Sequence, residues 1–192
     1  MRDRWVTRNA MRGPLLLTLL GAMLAFAFQA TAATERAAAG SPCKRYGDHG
    51  PSNLTPKHAR MAVVCLINRK RHQNGRGHLH RSERLTHAAT RHSRRMKNSG
   101  CFSHQCPGEA SLYTRLRSSG YLSGGLSRWA YGENIGWGDG WRGTPKHIVN
   151  AWMDSSSHRS TILSGTFRDV GVGFAHRGSR GYYTADFGMR AG

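Results

Sequence analysis

Glu133 and His158 are the side chains whose surroundings leave them freest to do chemistry. Glu133 is a lone carboxylate among glycines in Tyr131-Gly132-Glu133-Asn134-Ile135-Gly136-Trp137-Gly138. His158 follows a helical run closing on Ala151-Trp152-Met153, within Asp154-Ser155-Ser156-Ser157-His158-Arg159. Both stretches are too short and polar to be ordinary core, so these side chains are presented rather than packed. A carboxylate and an imidazole can move a proton or hold a metal ion. Cys101, His104 and Cys106 form a further cluster, readable as a zinc site or as a disulfide closing a tight ring around Phe102, Ser103 and His104. An oxidising compartment favours the disulfide.

Elements must hold these groups in place. Thr55-Pro56 is a cap followed by proline at the first helical position, and Ala59, Ala62, Val63, Leu66 and Ile67 recur at helical spacing until Gly75. A second helix is expected from Ser82 to Gly100 on the stripe Leu85, Ala88, Ala89, His92 and Met96. Its two alanines imply close packing, and His92 on that stripe reads as a hydrogen-bonded interior histidine. A third helix is expected around Ala110 to Ser119, then a Gly/Ser-rich loop over 120–128. Thr144-Pro145 opens a fourth helix with Ile148, Val149, Trp152 and Met153 inward. Val170, Val172 and Phe174 alternate, as do Tyr183, Ala185 and Phe187, which predicts two strands joined by a turn at 178–181. Helices first and strands last argue for an α+β fold with an antiparallel sheet.

The N-terminus reads as an address. Arg2, Arg4, Arg8 and Arg12 precede a nearly unbroken apolar run from Pro14 to Phe28, and Ala30-Thr31-Ala32 offers a small-x-small site. Residues 1–32 are therefore expected to be a signal peptide cleaved after Ala32. An uncleaved anchor is the alternative, since Leu15 to Ala33 reaches the lower limit of a membrane span; Thr18, Gln29 and the small-residue end argue against it. The rest of the chain suits a flexible lead over 33–53, tethered at Cys43, and one domain over 54–190. Four cysteines in an exported chain imply two disulfides with three connectivities, and nearness in sequence favours Cys43–Cys65 and Cys101–Cys106.

The net charge of +19 favours attraction to polyanions, whether cell-wall polymers or lipid head groups, so any membrane contact is expected to be peripheral. Basic residues are not regularly interleaved with aromatics, so no nucleic-acid groove is expected. Trp129, Tyr131, Trp137 and Trp141 gather around Glu133 in sequence. Such rings can stack on sugars or line an apolar slot; alternatively, Trp129 and Trp137 fill the core beside the sheet. No heptad pattern fixes an oligomeric state.

Six stretches in order resemble the CAP superfamily (cysteine-rich secretory proteins, antigen 5, pathogenesis-related 1), in its bacterial SCP-like extracellular branch. They are Cys65-Leu66-Ile67-Asn68-Arg69, Phe102-Ser103-His104, Gly132-Glu133-Asn134-Ile135, Trp152-Met153 with Ser155 to Leu163, Phe167 to Gly173, and Tyr183 to Gly188. The resemblance implies a three-layer α-β-α sandwich with a small antiparallel sheet. It also implies a cleft in which two histidines and two carboxylates converge. His104 and Glu133 match the first histidine and carboxylate, His158 is the best match for the second histidine, and the second carboxylate position is Ser155 here. The resemblance further implies weak binding of zinc or another divalent cation at His104 and His158, where two imidazoles and one carboxylate make a recognised zinc set.

The expected function is binding of an extracellular or envelope ligand (lipid, glycan or anionic polymer) at His104, Glu133, His158, Ser155, Tyr131 and Trp141. The alternative is a metal-assisted hydrolase with Glu133 as general base. Neither a His-Glu-x-x-His helix nor a Gly-x-Ser-x-Gly elbow is present, so metalloprotease-helix and serine-elbow hydrolases are not supported.

Overall fold

The layout of the helices follows their caps. The computed structural model describes residues 40–192, so the expected signal peptide lies outside the described residues. Helix α1 is Pro42–Tyr46 and is followed by a 3-10 turn at Pro51–Asn53. Helix α2 is Pro56–Gln73, whose N-cap hydroxyl of Thr55 accepts from the His58 N–H at 3.2 Å. Helix α3 is Glu83–Ser99, capped by Ser82 and ended by Gly100 in the left-handed region at φ 69°. Helix α4 is Leu112–Ser118, α5 is Pro145–Asp154, and α6 is Ser156–Leu163. Four strands complete the fold: β1 His80–Arg81, β2 Arg128–Asp139, β3 Asp169–Arg177 and β4 Arg180–Ala191.

The sheet order is β1-β3-β4-β2, antiparallel except for the two-residue parallel pairing of β1 with β3. Helices α2, α5 and α6 cover one face, where Val63, Leu66, Ile67, Val149, Trp152 and Ile162 join Val170, Val172, Phe174, Tyr183, Ala185 and Phe187 in one apolar cluster. Helix α3 covers the other. A Cβ on Gly171 or Gly173 would run into backbone of Leu85–Thr86 or Ala89, so these glycines and the small Ala88 and Ala89 let α3 lie directly on β3. The result is the expected α-β-α sandwich.

Three parts of the chain depart from expectation. The later part of the expected lead is not irregular: α1 is bound to α2 by the Cys43–Cys65 disulfide, and Gly47 O accepts from Lys146 N–H at 2.9 Å. Strand β2, as long as any in the sheet, is hard to see in sequence because glycines at 132, 136 and 138 break its alternation. His158 lies in a helix of its own, α6, to which the sequence assigns no element because serines at its start suppress any apolar period.

Candidate functional site

Glu133 is placed by β2. On the far face of that strand the glycines are required: a Cβ at Gly132 would stand 3.0 Å from the Phe167 ring and one at Gly136 3.0 Å from Trp152 Nε1. Trp152 Nε1 donates to Ile135 O at 2.8 Å, pinning β2 to α5. With one side of the strand held so closely, Glu133 is turned to the α3 side and buried, so it is packed there and not presented as its sequence surroundings suggest.

Both of its oxygens are engaged there. His104 Nδ1–H donates to Oε1 at 2.7 Å, and Arg115 Nη2 donates to Oε2 at 2.9 Å. Burial would push the Glu133 carboxyl up, but the His104 hydrogen bond and the charges of Arg115, His92 and His104 hold it below the usual carboxylate range. In return, the hydrogen bond to Glu133 raises the proton affinity of His104, against partial burial and the Arg115 charge. The His104 loop is fixed three ways: by the Cys101–Cys106 disulfide, by Arg115 Nη2 donating to His104 O at 2.9 Å, and by Cys106 N–H donating to Glu109 Oε2 at 3.1 Å. Both disulfides favoured by spacing are therefore present.

Sequence reasoning missed three members of this cluster. Glu109 accepts from the buried His92, whose Nδ1 is 2.9 Å from both carboxylate oxygens; the interior role expected of His92 holds. Arg115 sits on a helix too short to display a face. Asp186 is directly opposite Glu133 in the β2–β4 ladder and fully buried. Burial and the neighbouring Glu133 charge raise the Asp186 carboxyl well above its usual range. A signal existed: in a three-layer sandwich both sheet faces are covered, so a charged residue alternating with Ala185 and Phe187 must be buried too.

His158 approaches from the opposite layer, around the free edge of β2. Asn134 Nδ2 donates to His158 O at 3.1 Å, and the His158 ring shares a 2.9 Å hydrogen bond through Nδ1 with Ser155 Oγ. Burial first and the His104 charge second lower its proton affinity, so the two imidazoles sense each other and His158 is neutral where His104 is charged. Nδ1 of each ring is occupied, and Nε2 is the atom each has left for a ligand.

These residues fit a divalent cation only in part. A neutral His158 and a His104 oriented by a carboxylate are suitable donors. Glu133, with both oxygens committed, orients His104 and is not the third ligand expected from sequence. No three His, Cys, Asp or Glu side chains among the described residues converge closely enough to hold a metal ion. The same engagement removes Glu133 as a free general base.

Trp129, Tyr131 and Trp137 project from the Glu133 face of β2 and are all exposed, at 47%, 40% and 45%. The reading in which Trp129 and Trp137 fill the core is thus corrected: β2 is an edge strand, and α3 reaches only its middle, over Glu133 and Ile135. Tyr113 on α4 stands 6.1 Å from Tyr131, and Phe102 packs edge-on against Trp137 at 6.3 Å. Trp141 lies beyond the end of β2 against His147, and that strand end, Asp139, is itself roughly 20 Å from Glu133 at the usual rise per residue.

The fold and the ordered motifs agree with the comparisons. The profile of the CAP, cysteine-rich secretory protein family matches residues 64–187. The chain belongs to the CAP family. It is 37% identical over 117 residues to the uncharacterized protein YkwD of Bacillus subtilis, a match covering 61% of this chain and 42% of that protein. The matched region thus spans less than half of that relative. Among solved structures, an extracellular SCP-domain protein of Bacillus anthracis is similar at TM-score 0.58 and 26% identity, over 70% of this CAP chain and 43% of that one. An outer surface protein of Borrelia burgdorferi shares the fold at TM-score 0.58 and 16% identity, over 67% of this chain and 90% of that one.

Proposed function

We propose that this CAP domain is secreted and binds an extended envelope glycan along the Glu133 face of β2. The observation that carries the reading is the exposed row Trp129, Tyr131 and Trp137, with the charged His104–Glu133 pair in its middle. Residues two apart on a strand stand roughly 7 Å from each other, so the row runs for roughly 26 Å. Exposed aromatic rings stack on sugar faces, Trp129 and Tyr131 most freely because the Arg180 guanidinium already lies 4.6 Å over the Trp137 ring, and a central charge orients the ligand. Secretion is supported by the two disulfides, by the N-terminal signal-peptide pattern and by the extracellular relative.

A divalent cation, zinc being the best match to imidazole donors, would be held by Nε2 of His104 and His158 and would supply a Lewis acid beside the row. The chain's own residues supply the rest: Glu133 and Arg115 fix the His104 ring, and Ser155 and Asn134 fix His158.

The test is to sediment source-organism envelopes with the purified mature protein, using a His104→Ala/His158→Ala variant and a Trp129→Ala/Tyr131→Ala variant alongside. Co-sedimentation lost in the aromatic variant, with no new material in the supernatant, is expected. Soluble fragments released only by the unmutated protein would replace the binding reading with hydrolysis. Co-sedimentation unchanged in both variants would remove the cleft from the function.

A further inference from the structure

A second cluster of unused groups lies behind the cleft. Arg115 uses only Nη2 to hold Glu133 and His104; its Nε and Nη1 are buried and have no hydrogen-bond partner among the described residues. Arg115, Arg91, Ala88, Glu109 and Ala110 line a recess of about 50 Å³. Arg91, Glu109 and Ala110 also line a wider groove of about 540 Å³, whose other walls are Arg94, Arg95, Asn98 and Gly108. Recess and groove therefore share a wall and run from the surface down to Arg115.

The charge along this path is nearly of one sign. Arg91, Arg94, Arg95 and Asn98 fall at helical spacing on one exposed face of α3. Among the described residues no carboxylate pairs with the three arginines, and Arg95 is held over the groove by donating to Pro107 O. The opposing group is Glu109, which is committed to His92 and to Cys106 N–H, with Arg115 Nη1 3.9 Å away. Buried guanidinium donors left without partners are costly, and an oxyanion oxygen would satisfy one of them through a charge-assisted hydrogen bond. Three unpaired arginines at the mouth extend the attraction to a chain of such groups.

We infer that the groove between α3 and residues 106–110 is an anion site for a phosphate-bearing polymer, with one phosphate at Arg115 and its neighbours on Arg91, Arg94 and Arg95. The site is distinct from the aromatic row and does not depend on it. The recess of about 50 Å³ is small beside the groove of about 540 Å³, so it suits the leading oxygens of a tetrahedral oxyanion rather than a ring.

The probe is linear tripolyphosphate, compared with orthophosphate, titrated into the mature protein while the Arg115 side-chain Nε–H resonance is followed by NMR. Saturable movement of that resonance is expected, with tripolyphosphate binding more tightly than orthophosphate. Arg91→Glu/Arg94→Glu alters exposed side chains only and should weaken tripolyphosphate about tenfold or more, the loss of charge-assisted hydrogen bonds. His104→Ala/His158→Ala should bind it as the unmutated protein does. Three results would overturn the site: an Arg115 resonance that does not move at saturation, loss of binding in the histidine variant alone, or equal weakening by a distant reversal such as Arg45→Glu/Arg177→Glu. The last would reduce the effect to overall charge.

Discussion

The two faces of the sheet are built on opposite principles. Against α2, α5 and α6 the strands present Val170, Val172, Phe174, Tyr183, Ala185 and Phe187, and the space is filled by hydrocarbon. Against α3 and α4 the same strands present Glu133, Asp186, Gly171 and Gly173, and the apolar contacts divide into two small clusters around Tyr121 and Tyr182. Between those clusters lie His92, Glu109, Arg115, Glu133 and Asp186. One face therefore carries the stability of the domain, and the other gives up stability to hold a charged pair at the strand edge. Residues that fold this protein and residues that would equip it for binding are separated by the thickness of one sheet.

Substitutions can sharpen or break that division. The largest loss should follow Phe187→Ala on the apolar face, at about 3–5 kcal/mol in chemical denaturation, with the proton affinity of His104 unchanged in the molecules still folded. Arg115→Leu on the polar face should cost a comparable amount, because Glu133 is left buried and uncompensated, but it should also shift the His104 titration. If Arg115→Leu left that titration unchanged, the two faces would not differ as described. Replacing both Cys43 and Cys65 with alanine should cost about 3 kcal/mol in the chain-entropy account without disturbing either histidine, since that bridge serves the apolar side.

Smaller effects lie in the pH dependence. Glu133 has a folded-state value below its ordinary 4.5, so its contribution is present above that value and is lost as pH falls through the depressed one. His104 is raised above 6.5, so its contribution is complete below 6.5 and is lost as pH rises through the raised value. The pair is thus strongest between pH 4.5 and 6.5. His158 is lowered, and its contribution is present above 6.5 and lost on acidification. Imidazole NMR titrations should place His104 above 6.5 and His158 below it, and Glu133→Gln should bring His104 back toward 6.5. Zinc competes with these protons, so any zinc affinity should climb as pH rises past the His104 value. The smallest effect on stability should come from Trp129→Ala/Tyr131→Ala, within about 0.5 kcal/mol because both rings are exposed.

Much of this architecture was legible from local signals. Thr55-Pro56, Thr144-Pro145 and Gly100 set three helices because cap chemistry acts within a few residues. The alternation in β3 and β4 showed their shared apolar face. Strand β2 was hidden because its glycines answer to Phe167 and Trp152, contacts far away in sequence. Of the site, His104, Glu133 and His158 were named through ordered motifs, whereas Arg115, Glu109 and Asp186 were not. Their importance depends on register: Asp186 becomes a partner of Glu133 only when β4 pairs with β2. The aromatic rings were visible as a group, but whether they faced core or solvent depended on β2 being an edge strand.

The central claim, that the Glu133 face of β2 is a ligand platform, is tested most directly by the tryptophan indole N–H resonances. The buried Trp152, donating to Ile135 O, serves as an internal reference. On titration with a soluble envelope glycan fraction, Trp129 and Trp137 should shift together and saturably while Trp152 stays in place. Shifts confined to Trp141, or no movement of Trp129 and Trp137 at saturating glycan, would contradict the account.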